Sequence, residues 1–223
     1  AQVRVSIRIS SIATGTSAGA AMIAPYATGL VDHLRAAKST DTDLSSSPHC
    51  RYLVFEDFGT KGLEGAPEQW WISEGKNTNP FFNFFRGEGI SDKHVEARGR
   101  HGVGKFVFAA ASDARAILAL TVRRDKRRLL MGTAVLRLHS IDSRHYLPDG
   151  WFGRTGKDSL VLPLEASDEI SDFIQVFGLQ REQEPGLSIV VPWLDQSISS
   201  EAVVEAVARG YFYPILRKEL VVD

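Results

Sequence analysis

Apolar and polar residues alternate strictly over residues 3–9, Val3-Arg4-Val5-Ser6-Ile7-Arg8-Ile9, the period of a strand with one face buried. A segment rich in Gly, Ala, Ser and Thr follows over 12–24. Tyr26, Leu30 and Leu34 then recur every four residues beside Val31, which predicts an amphipathic helix over 25–38 with Pro25 in its first turn. After a polar loop over 39–48, the run Tyr52-Leu53-Val54-Phe55 predicts a buried strand that stops at Glu56-Asp57. Residues 59–104 are glycine-rich with scattered aromatics (Trp70, Trp71, Phe81, Phe82, Phe84, Phe85) and read as a long loop of the kind that serves as a lid.

Beyond that loop the pattern predicts a small apolar helix over 106–112 and strands over 116–124 and 129–138, joined by a charged turn at 125–128. Ser167 before Asp168 and Glu169, the apolar stripe Ile170, Phe173, Ile174, Phe177, and Gly178 together give start, face and stop of a helix. A strand over 187–191, a helix over 200–209 and a strand-like run over 220–222 complete the chain. Consecutive strands outnumber helices, so the expected class is α+β, a two-layer sandwich with helices on one face of a mixed sheet. Residues 1–223 read as a single domain, with 59–104 as its loop and lid and 193–223 as a C-terminal helix leading into a further element.

The chain has 223 residues, 43% of them apolar and 24% charged, and no apolar run approaches a bilayer span. Its 26 basic against 27 acidic residues leave a formal charge of −1, which excludes a global basic field for nucleic acid. Cys50, the single cysteine, permits no intramolecular disulfide and suits a cytoplasmic protein. The chain opens inside a strand pattern, with neither an initiator Met nor a signal peptide, and ends on an apolar run; a piece of a longer polypeptide is the expectation.

Two segments carry candidate chemistry. In Phe55-Glu56-Asp57-Phe58-Gly59-Thr60-Lys61-Gly62, a buried strand ends in a carboxylate able to accept from an exocyclic amine, followed by glycines that admit a ligand close to the backbone. Alone, this is also the composition of an ordinary turn capped by Asp57. In Gly99-Arg100-His101-Gly102-Val103-Gly104-Lys105, closely spaced glycines precede a helix, a pattern whose free N–H groups cradle phosphate. Gly99, Gly104 and Lys105 satisfy G-x-x-x-x-G-K, but Phe106 stands where a P-loop needs Ser or Thr for Mg²⁺, and residues 91–98 are too polar for its strand.

Together and in this order, the two segments resemble the GHKL superfamily of ATPases, which includes gyrase B, MutL, the ninety-kilodalton heat-shock chaperones, MORC proteins and histidine kinases. Residues 99–112, GRHGVGKFVFAAAS, resemble the gyrase B lid. The resemblance implies the Bergerat fold and ATP bound under a mobile lid. Asp57 would take the adenine amine, Gly59 and Gly62 would let the loop wrap the nucleotide, and backbone N–H groups of Gly99, Gly102, Val103, Gly104 and Lys105 would hold the phosphates. In the late strand the family's Gly-Thr is replaced by Gly186-Leu187-Ser188, so Ser188 is the candidate substitute for the threonine hydroxyl; Gly132-Thr133 competes one or two strands earlier.

The family's hydrolytic helix, with a Glu general base and an Asn ligand for Mg²⁺, normally precedes the first strand, and no E-x-x-x-N occurs in this sequence. No catalytic residue is therefore assigned: the base is expected upstream of Ala1, and ATP with Mg²⁺ would be turned over by a homodimer of the intact protein. A non-catalytic interaction module on the same fold and a histidine-kinase catalytic domain are the alternatives. DNA contact through Arg123 to Arg128 ranks low, since a charged hairpin is usually a solvated edge. His33, His49, His139 and His145 lack the spacing of a closed metal site.

Overall fold

The computed structural model describes residues 2–39, 44, 46–72, 79–87 and 104–223. The first strand, β1 (Val3–Ile12), leads to helices α1 (Ser17–Ala27) and α2 (Leu30–Ala37), then to β2 (Cys50–Phe58). The short helices α3 (Pro80–Phe85) and α4 (Gly104–Ala110) precede the hairpin β3 (Ala116–Val122) and β4 (Arg128–Val135). Short strands follow: β5 (His139–Ile141), β6 (Arg144–Tyr146), β7 (Asp149–Phe152), β8 (Arg154–Thr155) and β9 (Val161–Leu162). The chain closes with α5 (Ser167–Phe177), β10 (Gly186–Pro192), α6 (Ser200–Leu216) and β11 (Leu220–Val222).

One seven-stranded sheet, in the order β11-β1-β2-β10-β3-β4-β7, organises these elements. Only the β1–β11 pair is parallel; the others are antiparallel, so the sheet is mixed and the α+β class holds. Alternation along its strands divides the core in two. Tyr52, Val54, Leu118, Leu120 and Val190 face α1, α2 and α5, which contribute Ile23, Tyr26, Leu34, Ile170, Phe173 and Phe177. Leu53, Ile117, Ala119, Leu187 and Ile189 face the other way, toward Phe81 and Phe85 of α3 and Ala109 of α4. Helices thus cover both faces, not the expected one. The reason is visible in the central strands: every residue of β3 and β10 is buried, which a single helical layer could not achieve.

Most boundaries follow the sequence pattern, and the departures have physical causes. The helical stripe of Tyr26 and Leu34 is real but spans two helices, because Gly29, at φ +84°, breaks the chain between them. The small-residue segment becomes the start of α1, with Thr16 as N-cap accepting from the Gly19 N–H at 3.1 Å. Strand β2 continues past Asp57 to Phe58 because its pairing with β1 runs that far, Asp57 opposite Val5 and Phe58 opposite Arg4, and the fully buried Glu56 has its charge satisfied. Inside the long loop, Asn79 caps α3 by accepting from the Phe82 N–H at 2.9 Å and donates to the Ala66 carbonyl at 2.8 Å. Helix α6 runs past 209, through Gly210 and Pro214, and buries none of its residues. Among the described residues, no helix is long and apolar enough to cross a membrane.

Candidate functional site

Asp57 lies at the end of β2, on the face shared with Leu187 and Ile189. Its Oδ1 accepts from the Leu187 N–H at 2.6 Å and from the Thr60 hydroxyl at 2.9 Å. The side chain remains 24% exposed, and a carboxylate has about four lone-pair positions, so it can still accept from a ligand. Both glycines of the motif take left-handed backbone, Gly59 at φ +79° and Gly62 at φ +70°. A Cβ on Gly62 would sit 2.8 Å from Thr121 Oγ1 and closer still to the Val122 carbonyl, so the turn that follows Asp57 requires glycine there. Thr121 fixes that turn, accepting from the Leu63 N–H at 2.7 Å and donating to the Gly186 carbonyl at 3.2 Å.

Behind Asp57 is a polar hub that the sequence did not reveal. Glu56, pointing to the opposite face, is fully buried. It accepts from Arg8 at 3.1 Å, the Ser188 hydroxyl at 2.9 Å, the Gln180 N–H at 2.8 Å and the Arg181 N–H at 3.1 Å. Arg181, also fully buried, donates Nε to Ser188 Oγ at 2.8 Å, Nη1 to the Glu184 carbonyl at 2.9 Å, and Nη2 to the carbonyls of Leu187 and Asp57. Its guanidinium lies 3.7 Å from Asp57 Oδ1 and stacks 4.7 Å from the Phe58 ring. Burial pushes the Arg181 pKa down, while Asp57 and Glu56 hold it up. The surrounding Gln180-Arg181-Glu182-Gln183-Glu184 reads in sequence as a solvated loop, and no local signal marks Arg181 as buried.

The motif residues divide accordingly. Asp57, Gly59 and Gly62 come together as expected. Ser188 does not join them: it pairs in register with Glu56 and Leu120, faces the opposite side of the sheet, and spends its hydroxyl on Glu56 and Arg181. A one-residue offset on a strand reverses the face, so the position beside Asp57 belongs to Leu187, which serves it through its backbone N–H. Gly132-Thr133 lies on β4, separated from β2 by β10 and β3. Gly99, Gly102 and Val103 lie outside the described residues; Gly104 and Lys105 open α4. That helix packs on the Asp57 face, with Ala109 in its core and Phe108 5.5 Å from Phe55.

The aromatic loop is tied down rather than offered to a partner at most of its positions. Phe81, Phe82 and Phe85 are buried, and Arg86 stacks 4.2 Å from Trp70 while donating to the Pro67 carbonyl at 2.6 Å and the Val161 carbonyl at 3.0 Å. Trp71 is the exposed member. The tertiary structure also joins two histidines that sequence spacing had kept apart, His33 of α2 and His139 of β5. Comparisons with protein-family models, with curated proteins and with solved structures find no match.

Proposed function

We propose that this domain binds ATP in the GHKL manner, with Asp57 accepting a hydrogen bond from the adenine amine. The observation that carries the reading is the state of that carboxylate: Oδ1 is anchored by Leu187 and Thr60 while the side chain stays partly open at the end of a central strand. Such a group is pre-oriented and loses little freedom on accepting a ligand donor. Gly59 and Gly62 supply close backbone approach beside it. The glycine stretch of the sequence runs into α4, which packs on this same face. In the proposal its N–H groups and Lys105 would hold the phosphates, and Mg²⁺ carried in with the nucleotide would offset their charge. The proposal is for binding: with no E-x-x-x-N in this sequence, no residue here is assigned to hydrolysis.

Calorimetric titration with ATP, with and without Mg²⁺, tests this on the wild type and on Asp57→Asn. Asparagine preserves size and an acceptor for Leu187 but presents an amide donor to the adenine amine. The expected result is saturable binding by the wild type and affinity at least about tenfold weaker in the variant, with the melting temperature as the folding control. Wild-type binding that the substitution leaves unchanged would remove Asp57 from the site. No ATP binding at all would favour a non-catalytic interaction module on this fold.

A further inference from the structure

A second concavity lies away from Asp57, between α2 and the far edge of the sheet. Its volume is about 540 Å³, within the range of small-molecule sites. Tyr26, Leu118, Leu136, Trp151 and Phe152 supply apolar and aromatic wall, and none of the Asp57, Glu56 and Arg181 network lines it. His33 and His139 bring the polar chemistry. His33 Nδ1 lies 2.7 Å from His139 Nε2, and His139 Nδ1 lies 2.8 Å from the Arg137 carbonyl. Tyr146 stacks on His139 at 5.3 Å and meets His33 edge-on at 4.6 Å, so both rings are held in place.

This chain of contacts fixes where the hydrogens are. A carbonyl only accepts, so His139 carries its hydrogen on Nδ1. In the neutral pair, His139 Nε2 must then accept from His33 Nδ1–H, which leaves His33 Nε2 as a bare acceptor. The His33 ring makes no other hydrogen bond among the described residues. One added proton reverses this, whichever ring takes it. If His33 takes it, Nε2 gains the hydrogen directly. If His139 takes it, His139 donates from Nε2, and His33 accepts on Nδ1 and carries its own hydrogen on Nε2.

We infer that this cavity is a binding site for a small, largely apolar aromatic molecule bearing an N–H or O–H donor, received by His33 Nε2, and that acidification weakens the preference for the donor. The charged and titratable groups around the pair are Asp32 on α2, ion-paired to Arg35 at 3.3 Å, Asp149 on β7, and Arg144 and Tyr146 on the face of the β5–β6 hairpin that carries His139. Desolvation and the neighbouring His139 hold the His33 pKa below its ordinary value, against the pull of Asp32, so the acceptor form prevails at neutral pH.

Indole is the probe, because its ring nitrogen only donates, and 1-methylindole is the matched control without the donor. Affinities for both are measured by calorimetry at pH 8 and pH 5.5 on the whole chain and on His33→Phe. At pH 8 indole is expected to bind the wild type about three- to tenfold tighter than 1-methylindole, the opposite of their apolar ranking. At pH 5.5 that preference is expected to shrink, and in His33→Phe it is expected to be absent at either pH. Equal or tighter binding of 1-methylindole at pH 8 would overturn the proposal, as would absence of indole binding or a preference that survives in His33→Phe. Should the variant fail to fold, the two ligands and two pH values on the wild type decide the matter alone.

Discussion

The two ends of the sheet treat buried polarity in opposite ways. At the Asp57 end, Glu56 and Arg181 are both fully buried and almost every polar atom has a partner: four donors meet the Glu56 carboxylate, and Arg181 reaches three carbonyls and a hydroxyl. At the His33 end, apolar walls enclose a volume of about 540 Å³ and the polar chain stops at one ring nitrogen. A saturated network of charges in low dielectric is rigid, and removing a member strands the others. A cavity wall has few partners to strand, so it tolerates substitution and leaves capacity for a ligand. The contrast separates a region built to hold its own residues from one built with room to spare.

The sharpest way to break this comparison is Arg181→Met. Methionine fills similar volume but leaves Glu56 without its buried counter-charge environment and frees the carbonyls of Asp57, Glu184 and Leu187, so a loss of about 3–5 kcal/mol is expected. Urea denaturation checks this through a lower midpoint at unchanged slope. A loss under about 1 kcal/mol would mean that the hub is not what holds β10 to β2.

Gly186→Ala probes the same end more gently. Gly186 has φ +149°, and a Cβ there would come within 2.6 Å of Arg181 Nη1 and Asp57 Oδ1 and closer to the Asp57 carbonyl. A loss of about 1–3 kcal/mol is expected from overpacking and backbone strain. Because the intruding methyl would also displace the Asp57 carboxylate, the proposed ATP binding should weaken with it, and titration of the folded variant measures that.

The smallest expected effect belongs to the cavity end. His33 has its pKa lowered in the fold, chiefly by desolvation and then by His139. The folded state therefore binds fewer protons there than the unfolded chain, whose histidine titrates near about 6.5. Stability from this group is fully present above that pH and is lost as the pH falls through the lower folded value. Melting temperature in the wild type should hold from pH 8 to pH 7 and decline below about 6.5. His33→Phe should flatten that decline while changing stability little at pH 8, and identical pH profiles for the two proteins would assign the titration elsewhere.

How much of this was legible in the chain differs by scale. The helix of Ile170, Phe173 and Phe177 announced its face and its stop at Gly178, and α5 matches it to within a residue at each end, but the cap differs: Ala166 is the N-cap, with no side-chain hydrogen bond, and Ser167 is the first helical residue, its hydroxyl accepting from Arg128 at 2.8 Å. The β3–β4 hairpin and β10 were equally plain, because alternation and turn chemistry are local. The Asp57 motif was readable for the same reason, its glycines demanding left-handed backbone at Gly59 and Gly62. Ser188 was misplaced by one residue because a strand's faces are set by register with its neighbours, which no local pattern records.

The sequence by itself determined the class, the main elements and the Asp57 turn, all of which depend on short-range periodicity and on backbone conformations that only certain residues adopt. Only the tertiary structure decided that helices clothe both faces of the sheet, that Arg181 is buried against residues more than a hundred positions away, and that His33 meets His139 across the chain. These pairings are long-range. An arginine in a polar run and a histidine on a helix carry the same local signal whatever they meet in the fold, and only the fold buries Arg181 in a hub and sets His33 against His139.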